Sequence, residues 1–427
     1  MDRRLLLADG VVFTCQHSGA CCRSDWRIGV DAASHARLRE VDWSHLEPAP
    51  GAGARFVPLP EPLPGGARVE VARRSDGACV FLTPDTRCAI HALLGAAAKP
   101  QACREFPYQF VDTPDGIAVG VSYACTAVRA GHGRPLAEQR AEILAVVASS
   151  PHVRRLPDPI PLFGALQLTW DEYRTLETAL LDLLDDHGTP LPTTLAAGSA
   201  LVGTAVALAE VQRRQRADGR SPGETLAGGL GRLGAVRYRP LLELAAGARA
   251  PRRGTMAPLA LLYTWLELSR RRLSRAALLV ALYRNLFRFR RGRGRVPDLV
   301  TGHGVVTLED VAQVGCDLAR PDLDPFVRGY WRHVIFRKSV VPMHGVFRGY
   351  QTLLLLHAFL RWTARVHAWR RGAAEVALDD LREAVRLVEQ RFVLHARFAD
   401  LFEVSPVLTA TADRLYRQPS FVRACAL

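Results

Sequence analysis

The chain has 427 residues, of which 48% are hydrophobic and 23% charged, and its formal net charge is +14. This length allows two or three domains that each bury a core, which excludes a small scaffold dependent on disulfides. Only Lys99 and Lys338 are lysines, so arginines spread along the chain carry nearly all of the positive charge. We interpret this charge as a solvated basic surface, and nucleic-acid binding is the less favoured hypothesis.

Nothing in the sequence predicts a signal peptide or a membrane span. The apolar run at the N-terminus is interrupted by Asp9 and Gly10 before it reaches the length of a signal peptide. The longest apolar runs, at residues 257–266, 276–283 and 353–360, are too short to cross a bilayer. We therefore expect a cytoplasmic protein, in which clustered cysteines more often bind metals or carry out redox chemistry than form structural disulfides.

Residues 1–130 have the irregular pattern of a small α+β domain. Short strands are predicted at residues 11–13, 69–71 and 117–121, the last of them after a Pro-Asp-Gly turn. Six prolines between residues 48 and 64 exclude a regular helix there and predict an extended loop. A segment with so few long periodic runs is typical of domains that a metal site holds together.

Residues 131–427 are predicted to form a second, multi-helical domain, so the fold class is mainly α. Thr169 to Glu172 has the spacing of a capping box, and Ser221 followed by Pro222 offers another helix start. Apolar residues recur at intervals of three and four. This periodicity predicts helices at residues 136–149, 169–187, 193–217, 222–246, 257–289, 307–319, 324–338, 346–371 and 378–402.

Seven of the nine cysteines lie in the first 125 residues: Cys15, Cys21, Cys22, Cys79, Cys88, Cys103 and Cys125. Thiolates select zinc, Cu(I) or iron–sulfur clusters, and one zinc ion or one four-iron cluster takes four of them. The adjacent Cys21 and Cys22 reach one metal only through a tight turn, which Gly19 could help to supply. A polynuclear cluster or two neighbouring metals would also accommodate the set, and the spacing leaves these alternatives open.

The cysteine segments resemble those of a known family. The matching residues are Phe13, Cys15, Gly19, Cys21, Cys22, Cys79, Phe81, Leu82, Cys88, Ile90, Pro100, Cys103, Arg104, Phe106 and Pro107. Their pattern resembles the cysteine-cluster proteins described as a zinc- or iron-chelating domain, a family that includes the flagellin lysine N-methylases. The arrangement of a cysteine cluster before a long helical region is also similar to that of the N-methylases.

The resemblance implies a metal site and its ligands. Cys15, Cys21, Cys22, Cys79, Cys88 and Cys103 are the first-choice ligands, Cys125 is a seventh, and His91 is a weaker candidate. Ser18 stands where many members carry a further cysteine. His17 and Cys316 are interpreted as ordinary side chains, and Cys425 as an exposed thiol near the chain end. Arg23, Lys99 and Arg104 adjoin the ligand candidates and could lower thiol pKa values.

Two other motifs favour structural interpretations. Residues 229–234 fit G-x-G-x-x-G, but no strand leads into them, so we interpret them as a helix–helix turn in which the glycines end a helix. Residues 326–338 are aromatic and basic, and their helical spacing predicts a buried face with a polar back.

Two hypotheses of function remain. By the resemblance, the protein is a metal- or iron–sulfur-dependent protein-lysine N-methyltransferase that uses S-adenosylmethionine and modifies flagellin or another acidic protein. The alternative is a non-enzymatic metal-binding or metal-handling protein whose helices form an interaction domain. The sequence identifies neither a donor site nor a catalytic base.

Overall fold

The computed structural model describes residues 4–426, except for residues 25, 45–54, 64–65, 219–224, 248–258, 271–274, 299–301, 303, 344 and 395–405. The chain divides into two compact units, Met1–Arg155 and Leu156–Leu427. The predicted fold class is confirmed, because the first unit mixes short strands with short helices and the second is almost entirely helical.

The first unit contains nine short strands and five short helices within its described residues. The strands are β1 (Leu5–Leu7), β2 (Val12–Phe13), β3 (Gly29–Val30), β4 (Phe56–Pro58), β5 (Val69–Val71), β6 (Tyr108–Thr113), β7 (Gly116–Val121), β8 (Arg134–Pro135) and β9 (Arg154–Arg155). The helices are α1 (Ala32–Arg39), α2 (Ala89–Leu94), α3 (Gln101–Glu105), α4 (Thr126–Ala130) and α5 (Arg140–Ser149).

A four-stranded sheet in the order β1-β7-β6-β9 supports one of the two cores of this unit. Strands β6 and β7 form a hairpin whose register runs from Tyr108 opposite Val121 to Thr113 opposite Gly116. The buried side chains of β7 pack with Leu136 and with Ile143 of α5. Residues 131–155 therefore belong structurally to the first unit, since they complete this core.

The second core of the first unit packs between α1 and a three-stranded sheet in the order β3-β5-β4. Leu38 and Trp43 are fully buried in it, and the Trp43 indole N–H donates to the Leu38 carbonyl at 2.9 Å. The Phe81 ring lies edge-on to the Trp43 ring, with 5.0 Å between centroids. This core also contacts several of the cysteines, as described below.

The second unit is a bundle of helices with two small hairpins. Its helices are α6 (Trp170–Asp185), α7 (Leu191–Ala217), α8 (Leu226–Ala235), α9 (Arg239–Ala246), α10 (Leu259–Arg270), α11 (Arg275–Arg291), α12 (Leu308–Ala312), α13 (Asp324–Phe336), α14 (Val346–Arg370), α15 (Leu378–Val388), α16 (Pro406–Tyr416) and α17 (Pro419–Ala426). The hairpins pair β10 (Ile160–Phe163) with β11 (Leu166–Leu168) and β12 (Arg295–Pro297) with β13 (Val305–Thr307).

Helix α14 is the centre of the bundle. It contacts α7, α10, α12, α15, α16 and α17. Most of its residues are buried, including Leu354, Phe359 and Leu360, and the buried residues lie around the whole helix. A helix that is apolar around most of its circumference is typical of a core position.

Helix α7 is the one described helix that is long and apolar enough to cross a membrane. It has 27 residues, and 56% of its most apolar window is buried within the protein. Leu195, Leu201 and Val202 are fully buried there. Its apolar character is therefore accounted for by packing in the bundle core.

Several local predictions for the helices are confirmed. Helix α6 begins with the predicted capping box, in which Thr169 Oγ1 accepts from the Glu172 backbone N–H and Glu172 accepts from that of Thr169. Tyr330 and Val334 of α13 lie on a buried face as predicted, but the predicted polar back is wrong, because Arg328, His333 and Lys338 are buried too. Helix α11 ends at Arg291, two residues beyond the predicted end at residue 289.

The predicted helix over residues 222–246 is wrong in its described part, because α8 and α9 are separate helices. Thr225 caps α8 by accepting from the Gly228 backbone N–H. The glycines of the G-x-G-x-x-G motif therefore lie inside α8 and do not end a helix. The turn comes at Arg237 and Tyr238, which adopt left-handed conformations. Ser221 and Pro222, the predicted cap, lie outside the described residues.

The predicted exposure of Cys425 is also wrong. Cys425 is fully buried, because α17 turns Phe421 and Cys425 inward where it packs on α7 and α14. A position near the end of the sequence could not reveal this, since burial depends on where the last helix docks.

Candidate metal centre

A tight turn brings the adjacent Cys21 and Cys22 to the same side of the chain. Residues Cys21–Arg23 form a single 3-10 turn, and the Cys22 backbone N–H donates to the Gly19 carbonyl at 3.0 Å. Gly19 has a φ of 67°, and a Cβ there would meet Leu82 Cδ1 at 2.9 Å. Glycine is therefore required at this position both by backbone conformation and by space.

The two sulfur atoms of this pair are 4.0 Å apart. Two thiolates bound tetrahedrally to one zinc ion, with Zn–S bonds of about 2.3 Å, lie about 3.8 Å from each other. The turn thus places adjacent cysteines at the separation that one metal ion needs, which is the arrangement that Gly19 was expected to help supply.

Cys79, Cys88 and Cys103 come from separate segments that converge on the same core. The Cys79 backbone N–H donates to the Cys22 carbonyl at 2.8 Å, which joins two cysteine segments directly. Cys88 pairs with Leu82 in an isolated β-bridge and precedes α2, and Cys103 lies in α3. Cys22, Cys79, Cys88 and Cys103 all contact the core that contains Trp43 and Phe81. We call Cys21, Cys22, Cys79, Cys88 and Cys103 the five-cysteine cluster.

Cys15 and Cys125 lie outside the core that the five-cysteine cluster contacts, but the charges of Cys15 and Cys21 both act on Cys125. Cys125 precedes α4 and packs against the core of the four-stranded sheet, beside Phe13. Cys15 is exposed in the loop that follows β2. The Ser18 hydroxyl forms a hydrogen bond of 2.7 Å with the Thr126 hydroxyl. This bond holds the loop next to Cys125, which immediately precedes Thr126.

Burial and crowding raise the thiol pKa values of Cys21, Cys22, Cys88 and Cys103, which favours their neutral form. The hydrogen bond with Cys22, then burial, raise the pKa of Cys21. The hydrogen bond with Cys21 lowers the pKa of Cys22, but the bond with Cys79 and burial outweigh it, and the pKa is raised. Burial raises the pKa of Cys88 and of Cys125, and raises that of Cys103 to about 12.

Lys99 is the cation that acts on most of the cluster. Its charge lowers the thiol pKa of Cys21, Cys88 and Cys103. The pKa of each thiol is nevertheless raised, chiefly by the hydrogen bond with Cys22 at Cys21 and by burial at the other two. Arg73 acts on Cys103 in the same direction and was not anticipated from the sequence. Arg23 forms an exposed ion pair with Asp76 at 3.8 Å, and Arg104 donates to Gln101.

His17 and His91 face each other, with 5.3 Å between ring centroids. The His17 carbonyl accepts from the Thr86 hydroxyl at 2.8 Å, which holds the loop after Cys15 against the segment before Cys88. Burial, with Lys99 and His17, lowers the pKa of His91, which favours the neutral imidazole that binds metals. From the sequence, His17 is interpreted as an ordinary side chain. Its position two residues after Cys15 is the one sequence feature that could have indicated a place near the metal centre.

The donor set fits a soft metal ion. All nine cysteines are free thiols, so no disulfide competes for the cluster. Adjacent thiolates repel one another in a buried site, and a metal cation removes that penalty by binding them in the charged form. Within the described parts of the chain, no three His, Cys, Asp or Glu side chains are already arranged around one point. Closure on an ion therefore requires the thiols to rotate toward each other.

Comparison with known families agrees with the chemistry of this cluster. Residues 14–125 match the model of the CxxCxxCC family, described as "Putative zinc- or iron-chelating domain". The resemblance to the cysteine-cluster family is thus confirmed over these residues. The match also supports the interpretation of this segment as a metal-chelating domain. No curated protein and no solved structure matches the chain.

Proposed function

We propose that the first unit binds a thiolate-coordinated metal centre through the five-cysteine cluster, with Cys15 and Cys125 completing the set. The observation that carries this proposal is the convergence of five free thiols, two of them 4.0 Å apart, from four separate segments. In a reducing compartment, clustered free cysteines more often bind metals or carry out redox chemistry than form structural disulfides. The matched family description supports metal binding of this kind.

The bound group is a zinc ion or an iron–sulfur cluster. Zinc would fold and stabilise the unit without redox chemistry, whereas an iron–sulfur cluster would also transfer electrons. In either case Lys99 would offset part of the negative charge of the thiolates. Seven cysteines exceed the four that one centre requires, so the two groups of cysteines also allow two centres.

Elemental analysis and a visible spectrum of protein purified without oxygen test this proposal. Iron with acid-labile sulfide and a broad brown absorbance would identify a cluster, and colourless protein with zinc would identify a zinc site. Absence of metal, with disulfides among the N-terminal cysteines after anaerobic handling, would contradict the proposal.

Single serine substitutions then test the ligands. Cys22→Ser, Cys79→Ser, Cys88→Ser and Cys103→Ser should each reduce the metal content of the purified protein. Cys316→Ser is the matched control, because Cys316 is a part-buried free thiol of the second unit. Equal metal content in the control and in all four cluster variants would rule out these cysteines as ligands.

We propose further that the protein is a protein-lysine N-methyltransferase that uses S-adenosylmethionine. The resemblance of the cysteine segments to flagellin lysine N-methylases suggests this activity. A feature of the second unit supports it: a cavity of about 720 Å³ borders α7, α9, α14 and the last two helices. Sites for small molecules have volumes of about 300–1,000 Å³.

The cavity has an apolar wall with a few polar groups, as small-molecule sites do. Ser199, Gly203, Phe347 and Gln351 are among its lining residues. The Gln351 side chain is buried and donates to the Ser199 hydroxyl at 2.8 Å. Its Oε1 atom has no hydrogen-bond partner in the described part of the chain. We assign the methyl donor to this cavity as part of the proposal.

The expected reaction moves a methyl group from the donor sulfonium to a neutral lysine amine and releases a proton, with S-adenosylhomocysteine as the second product. The substrate would be flagellin or another acidic protein, which the basic surface would attract. The test incubates metal-loaded protein with methyl-labelled S-adenosylmethionine and flagellin or host lysate. Labelled methyl-lysine supports the proposal, and its absence under all these conditions contradicts it.

A cavity-filling variant examines the donor site directly. Gly203→Phe should abolish binding of S-adenosylmethionine, because a Cβ at Gly203 meets nothing within 4 Å and the ring would enter the cavity. Gly231→Phe is the matched control, since this helical glycine also has open space around it but does not line the cavity. Equal donor binding in both variants would place the donor elsewhere.

If no methyl transfer occurs, the response of the protein to a chelator distinguishes a metal-handling protein from one with a structural metal site. A metal-handling protein would release its ion to a chelator without unfolding, whereas a structural site would resist the chelator and unfold when the ion is lost. The helical unit would then serve as the interaction domain.

A further inference from the structure

We propose that the helical unit contains a binding site for a small oxyanion, formed by His357, Arg361 and Arg365 on one face of α14. The three residues are four positions apart, so their side chains lie above one another along the helix. The charge of Arg361 acts on both His357 and Arg365. All three groups offer hydrogen-bond donors, and the inference does not depend on the metal centre or on methyl transfer.

His357 presents a buried N–H group that has no acceptor among the described residues. Its Nδ1 atom accepts from the Trp331 indole N–H at 3.0 Å, so the neutral ring must carry its proton on Nε2. Burial and the nearby Arg361 lower the pKa of His357 to about 3, which keeps the ring neutral. Nε2 has no hydrogen-bond partner among the described residues. An unpaired buried donor is costly, so such a group indicates a missing acceptor.

Arg361 and Arg365 are part-buried, and among the described residues they lack the carboxylate partners that the buried cations of this unit have. Arg337 pairs with Glu389, Arg328 with Asp324, and Lys338 with Glu177, all within 2.9 Å. No ion pair involves Arg361 or Arg365 within the described chain, and Arg365 Nε has no acceptor there. Burial lowers the pKa of Arg361, although the residue as a whole is only part-buried.

Thiols from two other segments complete the surroundings of Arg361. Its guanidinium hydrogen-bonds the Cys316 sulfur, and it also acts on the buried Cys425 of α17. Burial raises the pKa of both thiols, so they do not supply the missing negative charge. The Asp317 carboxylate also acts on Cys316, but Asp317 is exposed and accepts from the Ala319 backbone N–H.

The chemistry of these donors selects the class of ligand. Guanidinium groups bind phosphate and carboxylate oxygens in paired hydrogen bonds, and a neutral imidazole N–H adds one donor. Two positive charges that have no carboxylate partner among the described residues favour an anion over a neutral molecule. We assign the site to a small molecule that bears a phosphate group, with carboxylates as weaker ligands of the same kind.

The first test measures stability in chloride buffer, without a phosphate ligand. A structural arginine stabilises the fold, so its removal should lower Tm. An arginine that binds an anionic ligand carries an unpaired charge when the ligand is absent, so its removal should raise Tm. We expect Arg361→Gln to raise the Tm of the full chain by about 2–4 °C. The control Arg174→Gln removes an exposed arginine of α6 and should leave Tm nearly unchanged.

The second test measures binding of inorganic phosphate and pyrophosphate by calorimetry, at constant ionic strength set with chloride. We expect binding to the wild-type chain and to Arg174→Gln. Arg361→Gln and Arg365→Gln should each weaken it roughly tenfold to hundredfold, as expected for loss of a charge-assisted hydrogen bond. Arg361→Lys, which keeps the charge, should lose less and serves if a glutamine variant does not fold.

Three results would overturn the proposal. The first is equal phosphate binding by the wild type and the Arg361→Gln,Arg365→Gln double variant. The second is a fall in Tm for both single variants in chloride. The third is absence of phosphate binding together with rapid alkylation of Cys316 by iodoacetamide, which would show that the arginines serve the thiol instead.

Discussion

Arg337 and Glu389 form an ion pair that is completely buried in the helical unit. Two parallel hydrogen bonds of 2.6 and 2.7 Å join the guanidinium to the carboxylate, and the Tyr330 hydroxyl donates to the same carboxylate at 3.0 Å. Both charged side chains have no exposed surface. Such a pair contributes little net stability compared with an apolar pair, but the loss of one partner leaves the other charge buried alone.

We predict that Glu389→Gln lowers the free energy of unfolding by about 3–5 kcal/mol. The double variant Arg337→Met,Glu389→Leu should recover most of this loss, because no charge remains buried. Urea titrations followed by circular dichroism measure both effects. A loss in the double variant as large as in the single one would show that the pair stabilises the fold in its own right.

His357 should make the stability of the protein depend on pH. Burial, with the charge of Arg361, lowers its pKa from the ordinary 6.5 to about 3. Below pH 6.5 the unfolded chain therefore binds a proton that the folded chain does not, and stability falls with falling pH. Between pH 7 and pH 5 we expect this residue to cost about 2 kcal/mol.

His357→Gln should remove that contribution while keeping an acceptor for the Trp331 indole. The measurement is the difference in unfolding free energy between the two pH values for the variant and the wild type. His187→Gln, which changes an exposed histidine of the same unit, is the control. An unchanged pH dependence in His357→Gln would show that His357 is not the group responsible.

At the scale of the element, two helical glycines have opposite roles although they look alike in the sequence. A Cβ at Gly349 of α14 would lie 2.7 Å from the Val340 carbonyl carbon and closer still to its oxygen. A Cβ at Gly329 of α13 would meet nothing within 4 Å. The first glycine permits close approach of two backbone segments, and the second has no packing reason to be glycine.

We predict that Gly349→Ala destabilises the protein by roughly 3 kcal/mol or more, because backbone must move to admit the methyl group. Gly329→Ala should stabilise it by about 0.5–1 kcal/mol through the helix propensity of alanine. Denaturant titrations of the two variants test the pair. A similar change in both would mean that space around Gly349 is not the deciding factor.

At the scale of the whole molecule, the two units depend on different forces. The helical unit has an extensive apolar core around α14, whereas the first unit has two small cores and a cluster of free thiols. Metal binding to such a unit contributes directly to its folding free energy.

We therefore predict that removal of the metal unfolds the first unit and leaves most of the helical circular dichroism intact. The emission of Trp43, buried in the core beside the cluster, should shift to longer wavelength as the unit opens. Cys79→Ser should behave like the chelated protein, and Cys316→Ser like the wild type. A metal-free first unit with unchanged Trp43 emission would contradict this prediction.

The sequence by itself determined the features that depend on local pattern. Periodicity gave the α6, α7, α13 and α14 helices within a few residues, and Thr169 with Glu172 identified the start of α6. The offsets of the cysteine segments identified the metal-chelating domain over residues 14–125. These signals are readable because caps, helical faces and ligand spacings involve residues close together in the chain.

Only the tertiary structure decided the features that depend on distant contacts. The division of the cysteines between two cores, the facing of His17 and His91, and the burial of Cys425 all follow from how separate segments pack. The same holds for charge: Arg337 finds Glu389, whereas Arg361 finds no carboxylate among the described residues. Hydrophobic patterning is the same for a paired and an unpaired arginine, because the partner lies elsewhere in the sequence.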